Sequence, residues 1–225
     1  MVKLRDANLN FCPSAHTRTL KNLEKQAAQR LVDNIKSRDI HLSTGFLGTP
    51  YLCDVLTKHG HLDLAYQLLL QKTYPSWLYP ISKGATTIWE RWDGIQPDGA
   101  YQDEELNSFN HYAYGAIGDW MYRTIAGINF DTEMPGYKHI IIRPQTNDAL
   151  NYVNSSLNSL YGEIQSNWTK NNDAFELNIK IPTNTMASVY LPNIDVSTIT
   201  SSAKVLNAQQ KGNTVIAKVG SGTYN

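Results

Sequence analysis

Residues 131–142, DTEMPGYKHIII, separate a stretch with a helical pattern from a stretch with a strand pattern. Before Pro135, apolar residues recur every three to four positions, which is the spacing of one buried face of a helix. After it, apolar and polar residues alternate, which is the spacing of a half-buried strand. We therefore predict a helical domain over residues 1–133 and a β domain over residues 134–225.

On the N-terminal side of this boundary, four segments have an amphipathic helical pattern. The last of them is predicted to run from about Asn110 to Ala126, because Gly127 favours a helix end there. Pro50 fits the first turn of an earlier helix, and Gly60 fits the position just after that helix ends. The three earlier helices are predicted over residues 20–35, 49–58 and 62–70.

On the C-terminal side, short strand patterns are separated by residues that favour turns. The segments 171–173 and 211–213 have this turn composition, with Asn, Asp and Gly. Many short strands joined by turns are typical of an antiparallel β-sandwich, which is the fold that we predict for this domain. The predicted strands include residues 139–142, 175–181, 187–191 and 215–219.

The composition limits the possible partners. The chain has 225 residues, 41% of them hydrophobic, with a formal net charge of zero, so it is a folded protein without a strongly basic face. We therefore predict no nucleic-acid partner and no membrane partner, and the sequence has no apolar run long enough for a transmembrane helix. The N-terminus lacks the apolar centre of a signal peptide, which predicts a cytoplasmic location only if Met1 is the native start.

The sequence gives little support for a metal or a cofactor. Cys12 and Cys53 have no partner at metal-ligand spacing; Cys53 fits a buried thiol, and a disulfide between the two stays an open alternative. Asp93 and Asp98 do not match a calcium-binding loop. A Gly-rich phosphate loop, GxSxG and HExxH are all missing from the sequence, so we predict no metal and no cofactor.

The strongest candidate for a chemical site is residues 85–94, ATTIWERWDG. Trp89 and Trp92 flank a carboxylate and a guanidinium, and charge among large aromatic side chains is costly to bury unless it is paired. Two interpretations fit this pattern. Glu90 and Arg91 form a structural ion pair in the core, or Glu90 is a general base whose charged form the neighbouring cation favours.

Acidic and aromatic residues are concentrated between Trp77 and Trp120. The stretch 92–110 is rich in carboxylates and in Gly and Pro, and long irregular loops of this kind are often functional. Aromatic rings stack on sugar rings while carboxylates bind hydroxyl groups, so this composition is typical of a sugar site. His111 fits either a group that orients substrate or a histidine packed between loop and helix, and His139 is predicted to be structural.

Four linked elements, GFLGTPYL, YPSW, GATTIWERWDG and NHYAYGAIGDW, occur in this order and are followed by PGYKHIIIRPQ and SLYGEIQSNW. Through them, residues 20–192 resemble the bacterial α-L-rhamnosidases of glycoside hydrolase family 78. The resemblance implies an (α/α)6 barrel followed by a C-terminal β-sandwich. It also implies inverting hydrolysis of terminal α-L-rhamnose, so rhamnose-containing glycosides are the predicted substrates.

The resemblance also implies roles for individual residues. Glu90 matches the family's general base, which activates a water molecule. His111 matches a histidine that contacts the sugar. The residues that we infer to shape the surroundings of the base or to bind substrate are Trp77, Trp89, Arg91 and Trp92.

The resemblance is incomplete on the N-terminal side. An (α/α)6 barrel needs more helices than the segment before Pro135 holds, so we predict a partial barrel. The family's general acid is a glutamate in an upstream acidic cluster, and neither Glu24 nor Glu133 is a counterpart. We therefore predict the C-terminal portion of a rhamnosidase that carries the base, lacks the acid and has weak or no activity alone.

Other possibilities follow from this incompleteness. Part of a barrel leaves apolar helix faces uncovered, which predicts self-association or association with the missing N-terminal half. A truncated reading frame, a cloned fragment or one piece of a split enzyme would each explain the sequence. The chain could also be a non-catalytic carbohydrate-binding or assembly module, or a hydrolase of the same fold that acts on another sugar.

Overall fold

The structure, a computed structural model, describes residues 21–171, 174–192, 194–201 and 206–225. The chain divides into two compact units, one that ends at Gly118 and one that runs from Asp119 to Asn225. The domain boundary between residues 133 and 134 stays a prediction. Cys53 is buried as predicted, whereas Cys12, and with it the alternative of a disulfide, lies outside the described residues.

The helical unit contains the first three predicted amphipathic helices. Pro50 lies in the first turn of its second helix, where a missing N–H costs no hydrogen bond. Gly60 takes a left-handed conformation, with φ +83°, between the second helix and the third. Their arrangement as part of an (α/α)6 barrel stays a prediction. The helices are α1 (Lys21–Lys36), α2 (Thr49–Lys58), α3 (Leu62–Leu69) and α4 (Leu78–Ser82).

The long helix predicted from Asn110 is shorter and less regular than expected. Its first turn begins at Ala113, because residues 108–111 pair with residues 88–90 through backbone hydrogen bonds instead of coiling. A change of helix type along the segment also departs from the regular pattern that was predicted. Its parts are a 3₁₀ turn (Ala113–Ala116), α5 (Ile117–Trp120) and a π turn (Met121–Ile125).

Residues 92–110 form the irregular loop that their composition predicts. An isolated bridge pairs Ile95 with Tyr101, and the Gln96 N–H donates to the Ala100 carbonyl at 2.8 Å. The loop therefore has a defined backbone without being part of a helix or a sheet.

The β unit contains two sheets. Within the described residues, one sheet has the strand order β1-β2-β6-β8-β7 and the other has the order β3-β4-β5-β9. The strands of the first sheet are β1 (Ile128–Phe130), β2 (His139–Ile142), β6 (Met186–Pro192), β7 (Leu206–Lys211) and β8 (Thr214–Val219). Those of the second are β3 (Tyr152–Ser159), β4 (Gly162–Lys170), β5 (Phe175–Ile181) and β9 (Gly222–Tyr224).

The core of this unit lies between the two sheets. Ile140 and Ile142 of β2 and Ile164 of β4 belong to one buried apolar cluster, so the unit is a β-sandwich. The antiparallel prediction is wrong for one pair, because β2 and β6 are parallel. The chain leaves this sheet after β2, forms three strands of the other sheet and returns as β6, so no hairpin fixes the direction of this pair.

Candidate functional site

A cavity of about 330 Å³ lies in the helical unit. Its volume falls at the lower end of the roughly 300–1,000 Å³ that is typical of small-molecule sites. Aromatic rings and charged groups line it together, which is the combination that suits a sugar ring. The lining residues are Phe46, Glu90, Arg91, Trp92, Asp93 and Tyr114.

Backbone pairing fixes Glu90 in the cavity wall. The Glu90 N–H donates to the Ser108 carbonyl at 2.8 Å, and the Ser108 N–H donates back to Oε2 of Glu90 at 3.0 Å. The His111 N–H donates to the Ile88 carbonyl at 2.8 Å, so the two short segments run side by side. The half-buried Glu90 carboxylate is therefore oriented by a backbone donor instead of a flexible side chain.

Arg91 pairs with another carboxylate and not with Glu90. Its Nε donates to the Leu106 carbonyl at 3.1 Å, and its guanidinium lies 3.6 Å from Asp103. The N–H groups of Leu106 and Glu105 donate to Asp103, and they lower the pKa of that carboxyl together with the Arg91 charge. Within the described residues, the ion pair of Arg91 is thus with Asp103, which does not support a structural Glu90–Arg91 pair.

Stacked aromatic rings form one wall of the cavity. Trp92 stacks on Tyr114 with ring centroids 3.7 Å apart and an interplanar angle of 17°. Trp77 is buried and meets Trp92 edge-on at 5.7 Å, and its indole N–H donates to the Tyr114 carbonyl at 3.0 Å. Trp77 supports this wall without being among the residues that line the cavity.

Trp89 is also buried and lies outside the cavity lining. Its ring meets Phe109 edge-on at 5.0 Å, on the segment that pairs with the backbone of Glu90. The two tryptophans of the WERW sequence therefore differ in environment, because Trp92 lines the cavity and Trp89 packs behind it.

His111 lies in a stack of three rings. It stacks on Phe46 at 4.6 Å and on Tyr112 at 5.5 Å, with interplanar angles of 13° and 6°. The Ala113 N–H donates to Nδ1 of His111 at 3.3 Å, so the neutral ring carries its proton on Nε2 and can donate from there. Phe46 joins this stack to the cavity, since it lines the cavity and also contacts Tyr114.

Sequence reasoning missed three of the lining residues. Phe46 and Tyr114 were part of motifs that carry the family resemblance, but nothing in their spacing places them beside Glu90. Asp93 is predicted only as one of several carboxylates in a loop whose composition suits a sugar site, or as a cation ligand, and not as a neighbour of Glu90 in one cavity. Burial raises the pKa of Tyr114 most. Electrostatic interactions with Tyr74, Asp93 and Glu90 raise it further, so the Tyr114 hydroxyl remains protonated.

The described residues contain no group of three or more His, Cys, Asp or Glu side chains placed to hold a metal ion. In the same part of the chain, no helix has both the length and the apolar character that crossing a membrane requires.

Two family models match the chain in succession. The bacterial alpha-L-rhamnosidase 6 hairpin glycosidase domain matches residues 17–125, and the bacterial alpha-L-rhamnosidase C-terminal domain matches residues 127–206. The order of the two agrees with the helical unit and the β unit.

Proteins and structures of the same family match most of the chain. An alpha-L-rhamnosidase of Streptomyces avermitilis is 49% identical over 82% of this chain, and one of Formosa agariphila is 46% identical over 75% of it. The crystal structure of the Streptomyces avermitilis enzyme complexed with L-rhamnose covers 90% of this chain, with a TM-score of 0.84 and 45% identity.

The chain spans only a fraction of these relatives. It corresponds to 17% and 18% of the two sequences and to 19% of the crystallised chain. The relatives are glycoside hydrolases by name, and both units of this chain match theirs. The chain spans a six-hairpin part and a C-terminal β-sandwich of these longer relatives, and it therefore belongs to the bacterial α-L-rhamnosidase family.

Proposed function

We propose that this chain carries the water-activating side of an α-L-rhamnosidase site, with Glu90 as the general base. The observation that supports this role is the position of Glu90, whose carboxylate lines an aromatic cavity and accepts a hydrogen bond from the Ser108 N–H. A carboxylate held in this way can take a proton from water while the water oxygen attacks the anomeric carbon.

The neighbours of Glu90 have distinct roles in this proposal. Trp92 and Phe46 offer apolar ring surface to the sugar. His111 is not among the residues that line the cavity, but it stacks on Phe46, which is, and in this proposal its Nε2–H donates to a sugar hydroxyl. Arg91 holds the loop in place through Asp103. Trp77 and Trp89 act on the sugar only through the groups that they position, because both are buried outside the cavity lining.

The second half of the reaction needs a general acid, and we assign that role to none of the described residues. When the bond from the anomeric carbon to the glycosidic oxygen breaks, that oxygen must receive a proton from a general acid. Glu24 lies on α1 beside Lys58 at 4.0 Å, Glu133 is exposed, and neither lines the cavity. We infer that helices like those that complete the site in the longer relatives supply the acid. These helices would belong either to the same polypeptide as this chain or to a separate chain that associates with it.

A pair of substrates separates the base from the acid. Fluoride leaves an anomeric carbon without being protonated, whereas the oxygen of an unactivated aryl or alkyl rhamnoside needs the acid. We therefore expect the 225-residue chain to release fluoride from α-L-rhamnosyl fluoride and to hydrolyse unactivated rhamnosides far more slowly. Glu90→Gln should lower the rate of fluoride release by about 10²–10⁴-fold, the usual contribution of a general base.

The control is Glu104→Gln, which changes an exposed glutamate of the same loop and should leave the rate unchanged. Fluoride release that is equally fast in Glu90→Gln would contradict the proposal. Rhamnose binding without hydrolysis of either substrate would instead support the alternative of a non-catalytic carbohydrate-binding module, which the aromatic cavity also fits.

A further inference from the structure

We propose that Asp93 is a second substrate-binding carboxylate of this cavity and accepts hydrogen bonds from ring hydroxyls of the sugar. The inference rests on the proposed function, because it assigns a new residue to the same site. It gives Asp93 a role in binding and not in proton transfer to the glycosidic oxygen.

The first support is the location of Asp93. Asp93 and Glu90 both line the cavity, with Trp92 between them in sequence and in the same lining. The one cation in this lining, Arg91, has its guanidinium beside Asp103. Within the described residues, no ion pair involves Asp93 or Glu90, so both carboxylates are left to accept hydrogen bonds from a ligand.

The second support is the neutral state of Tyr74, which lies near Asp93. Burial raises the pKa of Tyr74, and the nearby charge of Asp93 raises it further, so the Tyr74 hydroxyl stays protonated and does not repel the carboxylate. Tyr79 packs edge-on against Tyr74 at 5.7 Å, but its own hydroxyl donates to the Ile95 carbonyl at 2.8 Å. The two tyrosines near Asp93 are therefore neutral and do not form an ion pair with it.

The third support is the chemistry of the lining as a whole. A sugar ring has apolar faces and an edge of hydroxyl donors, and this cavity has stacked rings at Trp92 and Tyr114 with carboxylates on either side in sequence. Hydrogen bonds from hydroxyls to a charged acceptor are stronger than those to a neutral one. A carboxylate aimed at the ring hydroxyls therefore favours a polyol over an apolar ligand of the same size.

The test measures binding of L-rhamnose and of its 2-, 3- and 4-deoxy analogues by NMR titration of the full 225-residue chain. We expect Asp93→Asn to weaken L-rhamnose binding by about tenfold or more, the size expected for a hydrogen bond to a charged group. One deoxy analogue should bind the native chain and Asp93→Asn with equal affinity, because it lacks the hydroxyl group that donates a hydrogen bond to Asp93.

The control is Asp98→Asn, an exposed aspartate of the same loop, which should leave the affinity unchanged. L-rhamnose affinity that is unchanged in Asp93→Asn, or an equal loss for all three analogues, would overturn the inference. If Asp93→Asn does not fold, the native chain carries the test, and equal affinity for L-rhamnose and for all three deoxy analogues would then overturn the inference.

The outcome can be separated from that of the proposed function. Glu90→Gln should lower the rate of fluoride release by about 10²–10⁴-fold, whatever its effect on L-rhamnose affinity. If that result holds and Asp93→Asn binds as the native chain does, only the role of Asp93 is wrong. If Glu90→Gln releases fluoride normally, the role of Glu90 as base is wrong, whatever the binding data give.

Discussion

The helical unit and the β unit each contain hydrogen-bonded acidic and basic groups, but they differ in access. In the β unit, Asp131 Oδ2 lies 2.8 Å from Nδ1 of His139, and Nε2 of His139 lies 2.9 Å from Oγ of Ser188. This is the order of groups found in Ser–His–Asp hydrolases. Ser188, however, is only 3% exposed, whereas Glu90 lines a cavity of about 330 Å³.

A hydrogen-bonded triad is therefore a functional site only where a reacting atom can reach it. An acyl substrate would have to place a carbonyl carbon within about 3 Å of the Ser188 oxygen, beside donors for the oxyanion. Ser188 lies within β6 instead, and His139 begins β2, so the three side chains tie neighbouring strands together. The prediction that His139 is structural agrees with this placement.

The largest expected effect contrasts the two regions by activity. Glu90→Gln should lower fluoride release from α-L-rhamnosyl fluoride by about 10²–10⁴-fold, because the base that accepts the water proton is lost. Ser188→Ala should leave the same rate unchanged, although it removes the hydroxyl at one end of the triad. A comparable loss in Ser188→Ala would contradict this contrast between the two units, since the buried triad would then take part in the chemistry.

The second effect contrasts a tryptophan of each region. Trp92→Ala removes a cavity wall, so L-rhamnose affinity should fall about tenfold, and Trp92→Phe should restore most of it. Trp168 of β4 is buried, and its indole N–H donates to the Ile125 carbonyl at 2.8 Å. Trp168→Ala should cost about 3–5 kcal/mol of stability in urea unfolding. Affinity measured below its unfolding transition should match that of the native chain, and a tenfold loss there would contradict the comparison.

The smallest effect concerns the pH dependence of the β unit. The hydrogen bond from His139, followed by the Glu133 N–H, lowers the pKa of Asp131. A lowered pKa in the folded state contributes stability above the unfolded value of about 3.9, and this contribution is lost as the pH falls through the folded pKa. We therefore expect the urea midpoints of the native chain and of Asp131→Asn to differ most above about pH 5 and to converge as the pH falls below about 3.9. A difference that widens in acid would contradict this assignment.

Much of the fold follows from local patterns in the sequence. The stripe of apolar residues and the flanking Pro50 and Gly60 predict α2, and the alternation over Phe175–Ile181 predicts β5. These predictions succeed because each depends on which side of one element is buried. The parallel pairing of β2 with β6 does not follow from either strand alone, since it depends on where the chain returns after three intervening strands.

The site follows from the sequence only in part. The residue types around Glu90 and the family resemblance single out a segment that lines the cavity. The same reasoning places Trp89 and Trp92 together, although one is buried behind the wall and the other lines it. Phe46 reaches the site from more than 40 residues away, so only the folded chain reveals its stack on His111.

The most direct test of the central claim is chemical rescue of Glu90→Ala with azide. If Glu90 activates water on the face opposite the leaving group, azide should enter the space left by the side chain without needing a base. We expect azide to accelerate fluoride release from α-L-rhamnosyl fluoride by this variant and to give β-L-rhamnosyl azide, which NMR identifies. An absence of acceleration, or formation of the α-azide, would contradict the placement of Glu90 as the inverting base.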